Sequence, residues 1–205
     1  MMEYLDLCDE NGLPTGQIVS RDEAHREGLP HRTAHVWVVR EREGRAEILL
    51  QKRSMEKESF PGMYDTSSAG HIPAGQEALT SALRELQEEL GIEALPEQLV
   101  YAGRSHAQYE KIFHGKLFRD NEYTHVYVYR EPVEISSLHL QKEEVEAVRW
   151  FDLDEVIREI QVSRARICVP SKSLEILKAY LDAHPERARQ KEETKNGMDH
   201  DAAVS

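Results

Sequence analysis

Cysteine is scarce in this chain. Cys8 and Cys168 are the only two in 205 residues, too few for a disulfide framework, and a reducing compartment is the simplest setting. Long apolar runs are missing too: nowhere do 18 apolar residues follow one another, so no segment suits a membrane-spanning helix. The opening Met1-Met2-Glu3-Tyr4-Leu5-Asp6 has no basic stretch ahead of an apolar one and does not read as a secretory signal. The expectation is a cytoplasmic protein with no membrane partner. Positive charge is in deficit, with 26 basic against 38 acidic residues and a net charge of −12. That excludes a domain-wide basic face, and with it general binding of a nucleic-acid polymer. No helix-turn-helix or basic arm is visible either. What the chain does have is 40% hydrophobic residues, enough for a core and too many for wholesale disorder.

The apolar residues fall into alternating patterns. Leu5 to Cys8 and Gly16 to Val19 read as short strands of a hairpin, with Asp9-Glu10-Asn11-Gly12 in the turn. Arg21 to Glu27 reads as a short helix with Ser20 as N-cap. Thr33 to Arg40 and Ala46 to Lys52 form a second hairpin around Gly44. Leu79, Ala82, Leu83, Leu86 and Leu90 recur at spacings of three and four, which predicts a helix over 78–90 with Gly91 as its C′ residue. Strands are expected at 99–103, 123–129 and 145–151. A helix is expected at 152–160 behind Asp152 or Asp154, and another at 171–184 capped by Ser171 or Ser173. Trp37 lies in a core strand. Residues 187–205 are polar and lack an apolar period, so a disordered tail is expected there and one domain over 1–186. Strands flank one central helix and helices come late, the pattern of a layered α/β domain.

Chemistry concentrates in Gly70 to Ile92. Glu85, Glu88 and Glu89 sit at i, i+3 and i+4, which on a helix puts three carboxylates on one face, roughly 5–6 Å apart at Cβ. Like charges at that spacing repel unless a cation sits among them. A hard divalent cation with oxygen ligands is the natural partner, since Mg²⁺ shares its shell with phosphates. The alternative is an ordinary solvated acidic face.

The wider stretch resembles the Nudix box, Gly-x5-Glu-x7-Arg-Glu-U-x-Glu-Glu-x-Gly-U with U a bulky aliphatic. Gly70, Arg84, Glu85, Leu86, Glu88, Glu89, Gly91 and Ile92 match eight of its nine fixed positions. The ninth is Gln76, where the family has a glutamate that ties the loop to the helix through the box arginine. Gln76 retains the capacity to hydrogen-bond to Arg84, without charge assistance. The resemblance implies the Nudix fold, an α/β/α sandwich with a mixed sheet, and a Mg²⁺- or Mn²⁺-dependent hydrolase of a small-molecule diphosphate. It implies Glu85 and Glu89 as metal ligands, Glu88 as a ligand or the general base, and Arg84 in the catalytic set. Gly70, Gln76 and Gly91 would be the structural positions of the motif.

Outside the box, the features from Asp9-Glu10-x-Gly12 through Gly28-Leu29-Pro30-His31-Arg32 and His35-Val36-Trp37 to Ser67-Ser68-Ala69-Gly70-His71 resemble the branch related to type I isopentenyl-diphosphate isomerase. That likeness implies Arg21, Arg53 and Lys57 as diphosphate contacts, and the positions of Tyr64, in the loop just before the box, and His71, directly after its glycine, make them candidate pocket residues. It also implies a second metal group from His25, His31 and His71, with Asp120 and Glu122 as acidic candidates. The isomerase's catalytic cysteine is absent, because Ala69 stands in its place, so the isomerase reading is disfavoured. A non-catalytic ligand sensor on the same fold is the remaining alternative. A homodimer is an open expectation. Residues 76–97 hold six acids and one base, and residues 141–160 hold seven acids and three bases, so most of the −12 lies in two clusters. One of them is the proposed metal helix, where bound cations would neutralise part of the excess.

Overall fold

The β-branched and aromatic residues at 33–39 and 123–129 lie in the two strands at the centre of a mixed sheet. A computed structural model describes residues 3–185; the tail expected at 187–205 lies outside them. In chain order the elements are β1 (Tyr4–Cys8), β2 (Pro14–Ser20), α1 (Arg21–Glu27), β3 (His31–Arg42), β4 (Arg45–Arg53), β5 (Tyr64–Asp65), β6 (Ser68–His71) and α2 (Ala78–Leu90). They continue with β7 (Leu99–Phe113), β8 (Lys116–Tyr129), β9 (Val145–Asp152), α3 (Leu153–Val162) and α4 (Ser171–Ala183). β1 and β2 form a separate antiparallel hairpin. In the main sheet β3 runs parallel to β8 and antiparallel to β6 along its first half and to β4 along its second. β4 pairs with β5 and β9, and β7 pairs with β8, all antiparallel.

The period of two decides the layers. Ala34, Val36 and Val38 of β3, with Tyr127 and Tyr129 of β8, bury against Ala78, Ala82, Leu86 and Leu90 of α2. The alternate residues Trp37, Val39, Val126 and Val128 bury against Leu153, Val156, Leu174 and Leu177 of α3 and α4. With helices on both faces, the central strands read as continuous apolar runs and the architecture is an α/β/α sandwich. No helix among the described residues is long and apolar enough to cross a membrane.

Several local expectations hold. Ser20 caps α1 by accepting from the Glu23 amide, Asp152 caps α3 by accepting from the Glu155 amide, and Gly91 ends α2 in the left-handed region. Others need correction. The strand expected over 99–103 runs on to Phe113, and its partner begins at Lys116 rather than Tyr123. The added residues are polar and show no apolar alternation, so their extended state comes from pairing with each other. His114 and Gly115 both have positive φ, as a two-residue hairpin turn requires. The short β5 and β6 were not expected as strands. Helix α4 has no side-chain cap, because its N-cap position is Pro170; Ser171 and Ser173 lie within the helix, and Ser173 turns inward. Its hydroxyl accepts from Trp37 Nε1 at 3.0 Å and lies 3.1 Å from His35 Nδ1. Ser173→Ala strands both ring nitrogens in a dry core. It is expected to cost about 1–3 kcal/mol in urea unfolding, and an unchanged midpoint would refute that account.

Candidate active site

α2 amphipathicity places three glutamates at three depths. Glu89 is buried, Glu85 mostly buried, and the Glu88 side chain is 52% exposed. Glu89 Oε2 accepts from the Ala69 amide at 3.0 Å and lies 3.4 Å from Gln51 Nε2. Gly70 makes the next contact possible: a Cβ there would fall 2.1 Å from Glu85 Cδ, so the carboxylate lies directly against the strand backbone. Burial raises the Glu85 carboxyl above its ordinary range, with Arg84 opposing. Burial and then the Glu85 charge push Glu89 up to about 7. Arg84 spans the face, bonding Glu85 at 2.7 Å and Glu88 at 2.8 Å, and reaches the His71 carbonyl at 3.5 Å. These two anionic groups are held together at a cost in charge repulsion that Arg84 offsets only in part.

A second group lies across β6. Gly70 pairs with Ala34 and faces α2, whereas His71 pairs with Thr33 on the opposite face, which also carries His31 and Glu122. α1 adds His25. One ligand atom from each of His25, His31, His71 and Glu122 lies within 4.8 Å of every other. Glu122 Oε1 is 3.7 Å from His31 Nε2 and 3.8 Å from His71 Nε2. His25 Nδ1 faces the Arg21 carbonyl at 3.0 Å and His31 Nδ1 the Leu29 carbonyl at 2.8 Å. A carbonyl only accepts, so both Nδ1 atoms carry the proton and both Nε2 lone pairs point inward. His31 Nε2, His71 Nε2 and Asp120 Oδ1 are buried with no hydrogen-bond partner. Burial lowers His25 to about 4 and His71 well below the ordinary range, so neutral imidazoles line the group. Burial and the Glu122 charge raise the Asp120 carboxyl above its ordinary range. Neutral imidazoles, one carboxylate and orphaned inward-facing donors fit a divalent cation.

The remaining candidates are distributed more widely. Arg21, at the head of α1, is half-exposed and 3.4 Å from Glu3. Lys57 pairs with Glu144 at the rim and lowers the pKa of Glu89. Arg53 is committed to the Ser59 carbonyl, Ser59 Oγ and Asp65, at 2.9, 3.0 and 2.9 Å, and so braces the loop that carries Lys57. Tyr64 packs edge-on to Phe151 at 4.8 Å, within the core on the α3 and α4 side, and is not brought to the carboxylates. Gln76 Oε1 faces Ser81 Oγ at 3.4 Å, and Arg84 turns to the helix glutamates instead of to Gln76. Glu3, 4.0 Å from His71, and Phe118, stacked 4.3 Å from His25, reach the site without any motif to announce them. Both cysteines have raised thiol pKa values through burial, so neither is an active nucleophile.

Carboxylates on α2 thus lie against Gly70 of β6, and across that strand is a histidine and glutamate group that could hold a metal ion. The NUDIX domain family model matches residues 29–170, and the chain belongs to the Nudix hydrolase family, acting as a pyrophosphohydrolase on diphosphate-containing substrates. A Clostridium acetobutylicum protein described as a Nudix hydrolase is 41% identical over 157 residues, 76% of this chain and 73% of its own length. An isopentenyl-diphosphate Delta-isomerase of Cereibacter sphaeroides is 31% identical over 169 residues, 82% of this chain and 86% of its own. Among solved structures, the Deinococcus radiodurans protein DR0079 shares the fold with a TM-score of 0.62 at 19% identity, over 87% of this chain and 99% of that one. Nudix hydrolases generally use divalent metals.

Proposed function

We propose that this enzyme hydrolyses the diphosphate linkage of a small organic substrate, a nucleoside diphosphate-X or an isoprenoid or related diphosphate, with Mg²⁺ or Mn²⁺. The observation that carries the reading is the pair Glu85 and Glu89, forced together by Gly70 and by burial until Glu89 is pushed up to about 7. Such a pair favours a proton or a cation, and binding a divalent cation removes the repulsion. Glu85 and Glu89 would hold it, and His25, His31, His71 and Glu122 would hold a second. When bound, the cation supplies Lewis acidity at the phosphoryl oxygens and a lower pKa for water.

The chain's own groups do the rest. Glu88, the exposed member of the face, would take a proton at its carboxylate from attacking water or serve as a further metal ligand. Arg84 holds Glu88 and Glu85 in a fixed relation. Lys57 and Arg21 supply positive charge at the rim for phosphoryl oxygens, and Arg53 keeps the Lys57 loop in shape. His71 walls the pocket between the two groups. The isomerase alternative is disfavoured by Ala69: a methyl group cannot shuttle a proton. Incubation with Mg²⁺ and a panel of nucleoside, sugar and isoprenoid diphosphates is expected to release monophosphate from at least one. No turnover of any member, or an allylic product formed from isopentenyl diphosphate, would overturn the hydrolase assignment.

A further inference from the structure

The loop between β6 and α2 is held in part from outside residues 29–170, the range matched by the family model. Its anchors come from the N-terminal hairpin. Leu5 of β1 bridges to Pro73, and the Ala74 amide donates to the Tyr4 carbonyl at 2.8 Å. Beside them lies a charged clamp. Asp6 Oδ2 accepts from the Gly75 amide at 2.8 Å and from Arg32 Nη2 at 2.9 Å, and the same Nη2 reaches the Gln76 carbonyl at 3.1 Å. Asp6 is 7% exposed and Arg32 8%, so the pair sits in a drier setting than a surface ion pair and its geometry is enforced. Arg32 also fixes the start of the loop, since its carbonyl accepts from the Ile72 amide at 3.0 Å.

We propose that Asp6 and Arg32 are positioning residues for the carboxylate helix, and that the N-terminal hairpin is thereby part of the catalytic apparatus. The inference rests on α2 being the metal-holding element described above. The chain leaves β6 at His71 and enters α2 at Ala78, so pinning Gly75 and Gln76 sets how far α2 is displaced along β6. That displacement decides whether the Glu85 carboxylate meets Gly70 and Glu89 meets the Ala69 amide. Arg84 reaches only the first residue of this connection, the His71 carbonyl at 3.5 Å, and its other bonds go to Glu85 and Glu88. Among the described residues the Gln76 side chain accepts a hydrogen bond only from Ser81, within its own loop-helix junction. The hairpin carboxylate therefore does the holding that no side chain of the loop itself does.

The test uses the full chain and Mn²⁺ alone as probe. The double variant Asp6→Leu/Arg32→Met replaces a buried charge pair by apolar groups, a change that proteins often tolerate without loss of stability. It is expected to melt at or near the wild-type temperature, to exchange the Gly75 amide faster, and to bind Mn²⁺ about tenfold more weakly by calorimetry, the usual scale for a lost supporting contact. Asp6→Asn keeps an acceptor of the same shape and is expected to show the same two changes in smaller measure. Wild-type Gly75 exchange and Mn²⁺ affinity in either folded variant overturn the clamp while leaving the metal-dependent function intact. A wild-type chain that takes up no Mn²⁺ overturns the proposed function, and the positioning role with it.

Discussion

Glu89→Gln is expected to remove activity and to stabilise the metal-free protein at neutral pH. The two effects have one origin. Burial and the neighbouring Glu85 charge push the Glu89 carboxyl from 4.5 up to about 7, so the fold binds its proton more tightly than the unfolded chain does. Stability from this group is full below about pH 4.5 and falls as pH rises through 7, by about 3 kcal/mol in all. For a domain of this size that is roughly 6–12 °C of melting temperature. Glutamine keeps an acceptor for the Ala69 amide and carries no charge to repel Glu85. In EDTA the variant should therefore melt above wild type at pH 8 and with it at pH 4.5. Turnover should fall about a hundredfold or more, because a neutral amide is a poor ligand for a hard cation. Undiminished turnover, or a melting difference that does not depend on pH, would refute the account.

Gly70→Ala should give the complementary result, a loss of activity with little loss of stability. The new methyl carbon would lie 2.1 Å from Glu85 Cδ and 2.2 Å from Oε1. One of them must move, and the carboxylate is the free end of a flexible side chain. Gly70 sits in extended strand β6, a conformation alanine adopts readily. The fold is thus expected to absorb the change within about 1 kcal/mol, while a ligand displaced by an ångström or more costs about a hundredfold in kcat/KM. Glu85→Gln is the comparator, and both variants should fail alike. Wild-type kcat/KM in a folded Gly70→Ala protein would show that the close approach of strand and carboxylate has no catalytic role.

The two variants also separate what could be read in the chain from what could not. The helix at 78–90, its glutamate face and its Gly91 terminus follow from residues within four positions of one another, and local periodicity is sufficient to specify them. The same holds for the Ser20 and Asp152 caps. Which face of the sheet each residue takes, by contrast, depends on strand register. Register follows from pairing over long separations, as when Thr33 meets both His71 and Thr124. Strand β7 beyond Gly103 is not legible in the sequence for a related reason: residues 104–113 owe their extended state to β8, with no apolar alternation of their own.

Charge partners follow the same division. Arg53 has the residue type of a phosphate ligand, yet the folded chain commits it to Ser59 and Asp65. Tyr64 lies near the motif in sequence, but its ring packs on Phe151. Glu3 and Asp6 belong to no motif, and the hairpin delivers them to His71 and to Gly75.

The sequence by itself determined helix α2 and the shared face of Glu85, Glu88 and Glu89, because one helix turn converts short-range spacing into proximity, and the wider pattern from Gly70 to Ile92 marked the family. Only the tertiary structure decided that those glutamates are buried unequally, that a second group of His25, His31, His71 and Glu122 lies across one strand from them, and that the N-terminal hairpin grips the loop between. Burial and proximity across distant segments are products of packing, and it is packing that shifts the carboxyl pKa values on which the site depends.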